Sequence, residues 1–432
     1  MPRHHSGTPA ETRRPRALMI ALGDMGSLAM MGVRRKLHAQ RRALAALMNC
    51  PVDIVEQHGG QLAVTRDGHD EVLHRLRRGI DNYRISVASA IKEQVATDDY
   101  RLVYIRFPGF CDPSFLRILG LFRSSAIVME VPTYPLKDER AAIVRDLIRS
   151  RRLVRLSQFV AQVLVDRLTR WRMRVSIDRL LCIGDPPDVL WGMKTIRITN
   201  GCDTNLEQLS ACVSRPDRLV MICVAGLHDY HGLDRVIRGM AVYRTRNSAP
   251  SLHLDIIGSG PAVPDLRKMA EEYNLNDSVT FHGFRSGSEL RELYQNSDIG
   301  IASLGLHRIG ITSASVLKGL EYCALGLPFV YSYRDDRFSD DLPFCLRLPA
   351  SDDPVDMDQV VAFWRSLHSL EDVRSITRAY AEQRLGWNCV LAPVLEGLGL
   401  MKLTSEPIAF HPFTKHNPAS SCHVGADLSE PS

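Results

Sequence analysis

Lys318 and Glu321 stand three residues apart within Ser313-Ala-Ser-Val-Leu-Lys-Gly-Leu-Glu-Tyr-Cys-Ala-Leu325, a stretch whose apolar residues recur at helical spacing. An i,i+3 pair shares one helix face, while Leu317, Leu320 and Ala324 form an apolar stripe toward a sheet. An ionised carboxylate only accepts hydrogen bonds, so Glu321 suits the two hydroxyls of a ribose. The cations of Lys318 and, in the preceding loop, Arg308 suit a diphosphate. Spacing alone fits an ordinary surface pair equally well, since such pairs stabilise a helix by about 0.2–0.5 kcal/mol wherever they occur.

The flanking segments say what must hold these groups. Asp298-Ile-Gly-Ile-Ala-Ser303 and Leu327-Pro-Phe-Val-Tyr331 are short apolar runs of the kind that parallel strands buried on both faces require. The helix joining them is expected over 313–325, with Thr312, Ser313 and Ser315 as candidate caps and Gly326-Leu-Pro328 as its stop. In open α/β sheets ligands collect at the carboxyl ends of the strands, where a helix N-terminus offers N–H groups to phosphate. Ser313 and Ser315 would add hydroxyl donors there.

The rest of the chain repeats this rhythm. Strands are expected at Ala17–Ala21, Val52–Val55, Leu102–Arg106, Ala126–Val131, Leu180–Ile183 and Thr195–Ile198, with helices at Gly32–Gln40 and Glu71–Val95. A second series follows Asn200-Gly-Cys-Asp203, with strands at Leu219–Val224, Leu252–Ile257, Ser278–His282, Ile299–Ser303 and Phe329–Tyr331. The fold class is therefore α/β, with two doubly wound, Rossmann-like sheets. The expected division is 15–199, 200–378 and a returning C-terminal helix over 379–402. Residues 1–14 and 403–432, rich in Pro, Ser, His and Thr, are expected to be disordered.

Further candidates line the strand ends. Gly258-Ser-Gly260-Pro261 lacks the third glycine of a dinucleotide fingerprint and reads as a tight turn beside a ligand. His282, Gly283 and His231 border the same edge. In the first half Glu130-Val-Pro-Thr133-Tyr134-Pro is a stiff elbow with an acid, facing a cleft or serving as a rigid turn, and Arg106 on the neighbouring strand is placed to meet an acceptor or Glu130 itself.

Taken together, these blocks resemble family 4 glycosyltransferases, retaining enzymes of the GT-B fold, in the branch that builds bacterial surface polysaccharides. The helix segment is similar to that family's C-terminal signature, and Val224–Arg235, Ile257–Pro261 and Val279–Gly283 follow in the family's order. Met129–Pro135, Val103–Arg106 and Ile198–Asp203 are similar as well. The resemblance implies a nucleoside diphosphate sugar as donor, a saccharide or lipid-linked acceptor, and neither cofactor nor metal. It departs from the family at Ser313, where the first of two acids is usual, and at Gly226 and His231, where an Arg and a Lys grip the diphosphate. Arg235, Arg308 and Lys318 are the expected substitutes. Two alternatives share the fold: a catalytically silent partner subunit, and a sugar-nucleotide epimerase or phosphorylase.

Bulk properties narrow the classes further. The 432 residues carry a formal charge of only +5, too mild for a nucleic-acid binder, and 45% hydrophobic content is enough for two ordinary cores. Ten irregularly spaced cysteines, with no C-x-x-C pair, read as reduced thiols. No apolar run reaches the ~18–20 residues of a membrane span, and the start of the chain lacks the apolar core of a signal peptide, so a cytoplasmic protein is expected. Arginines crowd the stretch from Arg145 to Arg174, with apolar residues between them. Such a stretch fits an anionic membrane surface or a helix with a solvated polar face.

Overall fold

The computed structural model describes residues 15–401 apart from 27–29, 76–82, 97–98, 135–139, 141–143, 145–146, 149–150, 211–214 and 247–248. The first half holds β1 (Arg16–Asp24), α1 (Met31–Met48), β2 (Val52–His58), β3 (Gln61–Arg66), β4 (His69–Arg75), α2 (Tyr83–Gln94), β5 (Tyr100–Arg106), α3 (Pro113–Gly120) and β6 (Ala126–Tyr134). It continues through α4 (Leu153–Met173), β7 (Arg179–Gly184), β8 (Val189–Leu190) and β9 (Met193–Ile198). These strands form one nine-stranded sheet in the order β4-β3-β2-β1-β5-β6-β7-β9-β8.

Its centre is parallel because helices cover both faces. Along β1, Leu18 and Ile20 point into one apolar cluster with Phe115 and Ile118 of α3, while Ala17 and Met19 point into another with Leu37 and Leu44 of α1. A strand buried on both faces cannot alternate polar and apolar residues, which explains its uniform sequence.

The second half holds β10 (Arg218–Val224), α5 (Leu233–Thr245), β11 (Ser251–Ile257), α6 (Val263–Glu272), β12 (Val279–Gly283), α7 (Gly287–Gln295), β13 (Ile299–Ile301), α8 (Leu317–Leu325), β14 (Phe329–Tyr331) and β15 (Cys345–Arg347). This six-stranded sheet has the order β12-β11-β10-β13-β14-β15 and is parallel throughout. α9 (Met357–Leu367) packs Val360 and Trp364 into its core, and α10 (Val373–Tyr380) follows. α11 (Trp387–Gly397) then returns to the first sheet, burying Trp387, Leu391 and Val394 beside α1.

Two expectations are corrected. The segment from Glu71 is not helical: β3 and β4 form an antiparallel hairpin, and the helix starts at Tyr83. The hairpin turn is Asp67-Gly68, both at positive φ (47° and 89°), as the mirror-image two-residue turns favoured between twisted strands demand. The helix expected from Ser313 begins only at Leu317, after Val316 in an extended conformation. Residues 312–314 are held extended instead, because Arg334 N–H donates to Thr312 O (2.8 Å) and Ala314 N–H to Arg334 O (3.0 Å).

Candidate functional site

The loops after β10 and β11 meet backbone to backbone at the carboxyl edge of the second sheet. Leu227 N–H donates to Ser259 O at 2.9 Å and Ala262 N–H to Leu227 O at 3.2 Å. A Cβ on Gly258, whose φ is +120°, would lie 1.9 Å from Ala225 O, and one on Gly260 would lie 2.1 Å from Leu227 O. These glycines therefore let two ligand-edge loops close on each other. Gly283 ends β12 at φ +68° and accepts from Gly258 N–H at 2.7 Å, while His282 Nε2 lies 2.7 Å from the Asp255 carboxylate. Gly258→Ala is expected to cost at least ~3 kcal/mol, since it combines overlap with backbone strain. Chemical denaturation would show this as a lower midpoint, and an unchanged midpoint would refute the tight-approach argument.

His231 and Lys318 face the same region. His231 is buried, and its Nδ1 accepts from the His228 backbone N–H at 3.1 Å, so the ring hydrogen sits on Nε2. Burial, with the Lys318 ammonium and His228 nearby, pushes its pKa down to about 2, leaving a neutral Nε2–H donor. Lys318 lies in the first turn of α8 and buries its Nζ with no hydrogen-bond partner among the described residues. Burial lowers its pKa to about 8, against the pull of Cys223 and Glu321. A desolvated, unpaired ammonium is costly, and an anion placed against it removes that cost.

Glu321, one turn along α8, is one-third exposed (34%) and lies 3.6 Å from Arg35 Nη1 of α1. Burial, helped by Asp203, raises its pKa, opposed by Arg35 and Lys318. It lines a pocket between the two sheets' elements with Arg35 and Lys36 of α1, Asp203 of the crossover, Leu317 and Trp387. The crossover is fastened just above: Asn200 N–H donates to Ser315 Oγ (2.9 Å), Asn200 Nδ2 to Ser315 O (2.7 Å), and Arg337 Nη2 to the same hydroxyl (2.6 Å).

The other candidates are engaged elsewhere. Ser315 is thus a brace for the crossover, and Ser313 is exposed, bridged to Arg334 ahead of the helix. Arg235 is fully buried and donates to the carbonyls of Asp353 (2.8 Å), Leu304 (2.5 Å) and Pro349 (3.1 Å), so it ties loops together and offers no charge to a ligand. Arg308 forms a two-point pair with Asp234 (2.8 and 2.9 Å) and a third contact with Asp352 (2.6 Å). These acids hold its guanidinium charged and occupied.

Glu130 is buried, not exposed on an elbow. It receives Lys36 Nζ at 2.7 Å, Gln40 Nε2 at 2.6 Å, Tyr104 OH at 2.5 Å and Arg106 Nη1 at 3.3 Å. Tyr134 closes β6 opposite Gly184, and the side chain of Thr133 lies outside the described residues. Arg35, Lys36, Trp387 and Arg337 were not anticipated. The only signal was the Arg34-Arg-Lys36 run in a helix leaving the first strand, which spacing does not aim at the second sheet.

Residues 208–335 match the family of glycosyl transferases group 1. That glycosyltransferase group 1 domain includes β10 through β14, His231, Lys318 and Glu321. Among curated proteins none matches. Among solved structures the chain is similar to a sucrose-phosphate synthase from Thermosynechococcus elongatus, at 15% identity, covering 89% of this chain and 98% of that one with a TM-score of 0.55. It is similar to a glycosyltransferase from Rickettsia africae (10% identity, 91% and 100% covered, TM-score 0.56) and to Anabaena HepE in complex with UDP and glucose (13%, 89% and 99%, 0.53). These likenesses span both sheets, and the fold of the group 1 domain with its N-terminal partner is GT-B.

Proposed function

We propose that this chain is a retaining glycosyltransferase of family 4, moving a sugar from a nucleoside diphosphate sugar to a saccharide or lipid-linked acceptor in polysaccharide synthesis. The observation that carries this reading is Lys318 Nζ, buried at the carboxyl edge of the second sheet with no hydrogen-bond partner among the described residues. Charge that develops on a departing diphosphate meets a cation already desolvated, which makes the interaction strong and needs no reorganisation. The neutral His231, with hydrogen on Nε2, is placed to donate beside it. Glu321, still accessible in the pocket, takes the ribose hydroxyls once Arg35 yields. On retention, the leaving phosphate and the acceptor hydroxyl share one face of the sugar, so the phosphate itself accepts the acceptor's proton. No protein nucleophile is required, and neither metal nor cofactor is assigned a role.

Two similar structures, HepE and the pneumococcal O-GlcNAc transferase GtfA, were solved with UDP, which makes UDP the first nucleotide to try. Thermal unfolding of the wild type with UDP, GDP, CDP and dTDP tests the reading. One base at a hundredfold excess over its Kd is expected to raise Tm by roughly 2–4 °C, and Glu321→Ala to abolish the rise. No shift with any nucleotide would favour a catalytically silent partner subunit. A shift with nucleotide turnover but no acceptor requirement would favour the epimerase or phosphorylase.

A further inference from the structure

α4 is apolar on two opposite faces, only one of which packs against described residues. Phe159, Thr169 and Met173 turn inward with Asp166, whose carboxylate accepts from Cys111 N–H (2.9 Å), Arg140 (2.6 Å) and Arg170. On the outer side Leu153, Val160, Leu164, Leu168 and Trp171, with Val175 just beyond the helix, are 48–83% exposed. At 3.6 residues per turn these positions fall on one arc, five turns long and interrupted only by Ser157, opposite the buried face. The expected solvated polar face accounts for the exposed arginines and glutamines of the helix but not for this apolar arc.

The charges around that arc have one sign. From Arg151 to Val175 the chain carries seven arginines and a single acid, Asp166. The acid is buried, and Arg170 is folded over Trp191, its guanidinium 4.4 Å from the ring centroid. The remaining six, Arg151, Arg152, Arg155, Arg167, Arg172 and Arg174, are exposed. Arg174 stacks 4.7 Å over Trp171, joining a cation to the amphipathic ring at the end of the arc. Arg145 and Arg149 lie outside the described residues.

We infer that the outer face of α4 is a docking surface for an anionic lipid bilayer. An apolar arc flanked by Arg167, Arg172 and Arg174, on a helix with no exposed acid, matches the acyl–headgroup boundary: the aliphatic and indole groups enter, and the guanidinium groups reach back to lipid phosphates. Charge decides against a second copy of this chain, because a self-complementary contact would set arginine against arginine with no exposed acid on the helix to offset them. α4 does not cross the bilayer, since no helix among the described residues is long and apolar enough to do so. The surface does not depend on the nucleotide reading.

Co-sedimentation of the full chain with vesicles tests this. Binding to a phosphatidylcholine–phosphatidylglycerol mixture is expected to exceed binding to phosphatidylcholine alone by about tenfold and to weaken with added salt. Leu164→Ser/Leu168→Ser is expected to release the protein from both vesicles. Arg167→Gln/Arg172→Gln/Arg174→Gln is expected to remove only the preference for phosphatidylglycerol. All five positions are exposed, so nucleotide-induced Tm shifts in lipid-free buffer should stay as in the wild type. Absence of binding to either vesicle, binding that both variants retain, or a dimer in sedimentation velocity that Leu164→Ser/Leu168→Ser dissolves would each overturn the proposal.

Discussion

Lys318→Met is expected to lower the transfer rate by about 10²–10³-fold while leaving the unliganded protein as stable as the wild type, or up to ~1–3 kcal/mol more stable. The two effects have opposite signs for one reason. Lys318 Nζ is buried without a hydrogen-bond partner among the described residues, so in the free protein its charge is a cost that an anion relieves. A lysine that merely supported the fold would behave in the reverse way, and a variant with normal turnover and a lowered Tm would refute the assignment.

The same residue sets a pH dependence with two opposed branches. Its folded-state pKa is about 8 against 10.5 for the free side chain, because burial disfavours the ammonium. The unfolded chain then binds more protons than the folded one between about pH 8 and 10.5, so Lys318 makes the free protein more stable as pH rises through that window. Nucleotide binding requires the ammonium and should weaken over the same window, approaching tenfold per pH unit. Isothermal titration across that range, compared with Lys318→Met, separates this group from any other that titrates there.

Sequence patterning was informative where the physics is local. The apolar runs of β13 and β14, the helix between them and the placement of Lys318 and Glu321 on it follow from periodicity alone. It was uninformative where a charge is satisfied by a remote partner. Arg308 lies 74 residues from Asp234, and the carbonyls that absorb Arg235 lie 69 to 118 residues away, so local sequence leaves both free for phosphate. Ser315 was a plausible cap until Asn200, 115 residues earlier, took its hydroxyl. The hairpin differs: Asp67-Gly68 is a strong local turn signal, but it lies in a polar stretch whose charges recur at helix-like spacing, and the two local signals conflict. The outer face of α4 is half legible: the arginines and intervening apolar residues of 145–174 fit a membrane surface, but an apolar residue pointing to solvent has the same letter as one in the core, so the sequence cannot say which of them face outward.

Glu130→Gln is expected to destabilise the first sheet by about 3–5 kcal/mol, because it leaves the Lys36 ammonium buried without its counter-charge. Burial raises the Glu130 pKa, but Lys36, Arg106 and the hydrogen bonds outweigh it and hold the value at about 2, below the ordinary 4.5. A carboxyl depressed in the folded state contributes stability that is present above about pH 4.5 and lost as pH falls toward 2, so the wild type should show an acid-induced loss that Glu130→Gln lacks. Lys36→Met/Glu130→Gln removes both charges and should recover most of the stability. The consequence reaches the pocket, because α1 places Lys36 inward on Glu130 and its neighbour Arg35 outward on Glu321. If α1 acts as a rigid mount, the double variant should regain the nucleotide-induced Tm shift along with its stability, whereas Arg35→Ala should change that shift at no cost to the free protein. A double variant that is stable yet deaf to nucleotide would instead give Lys36, which lines the same pocket, a direct part in binding.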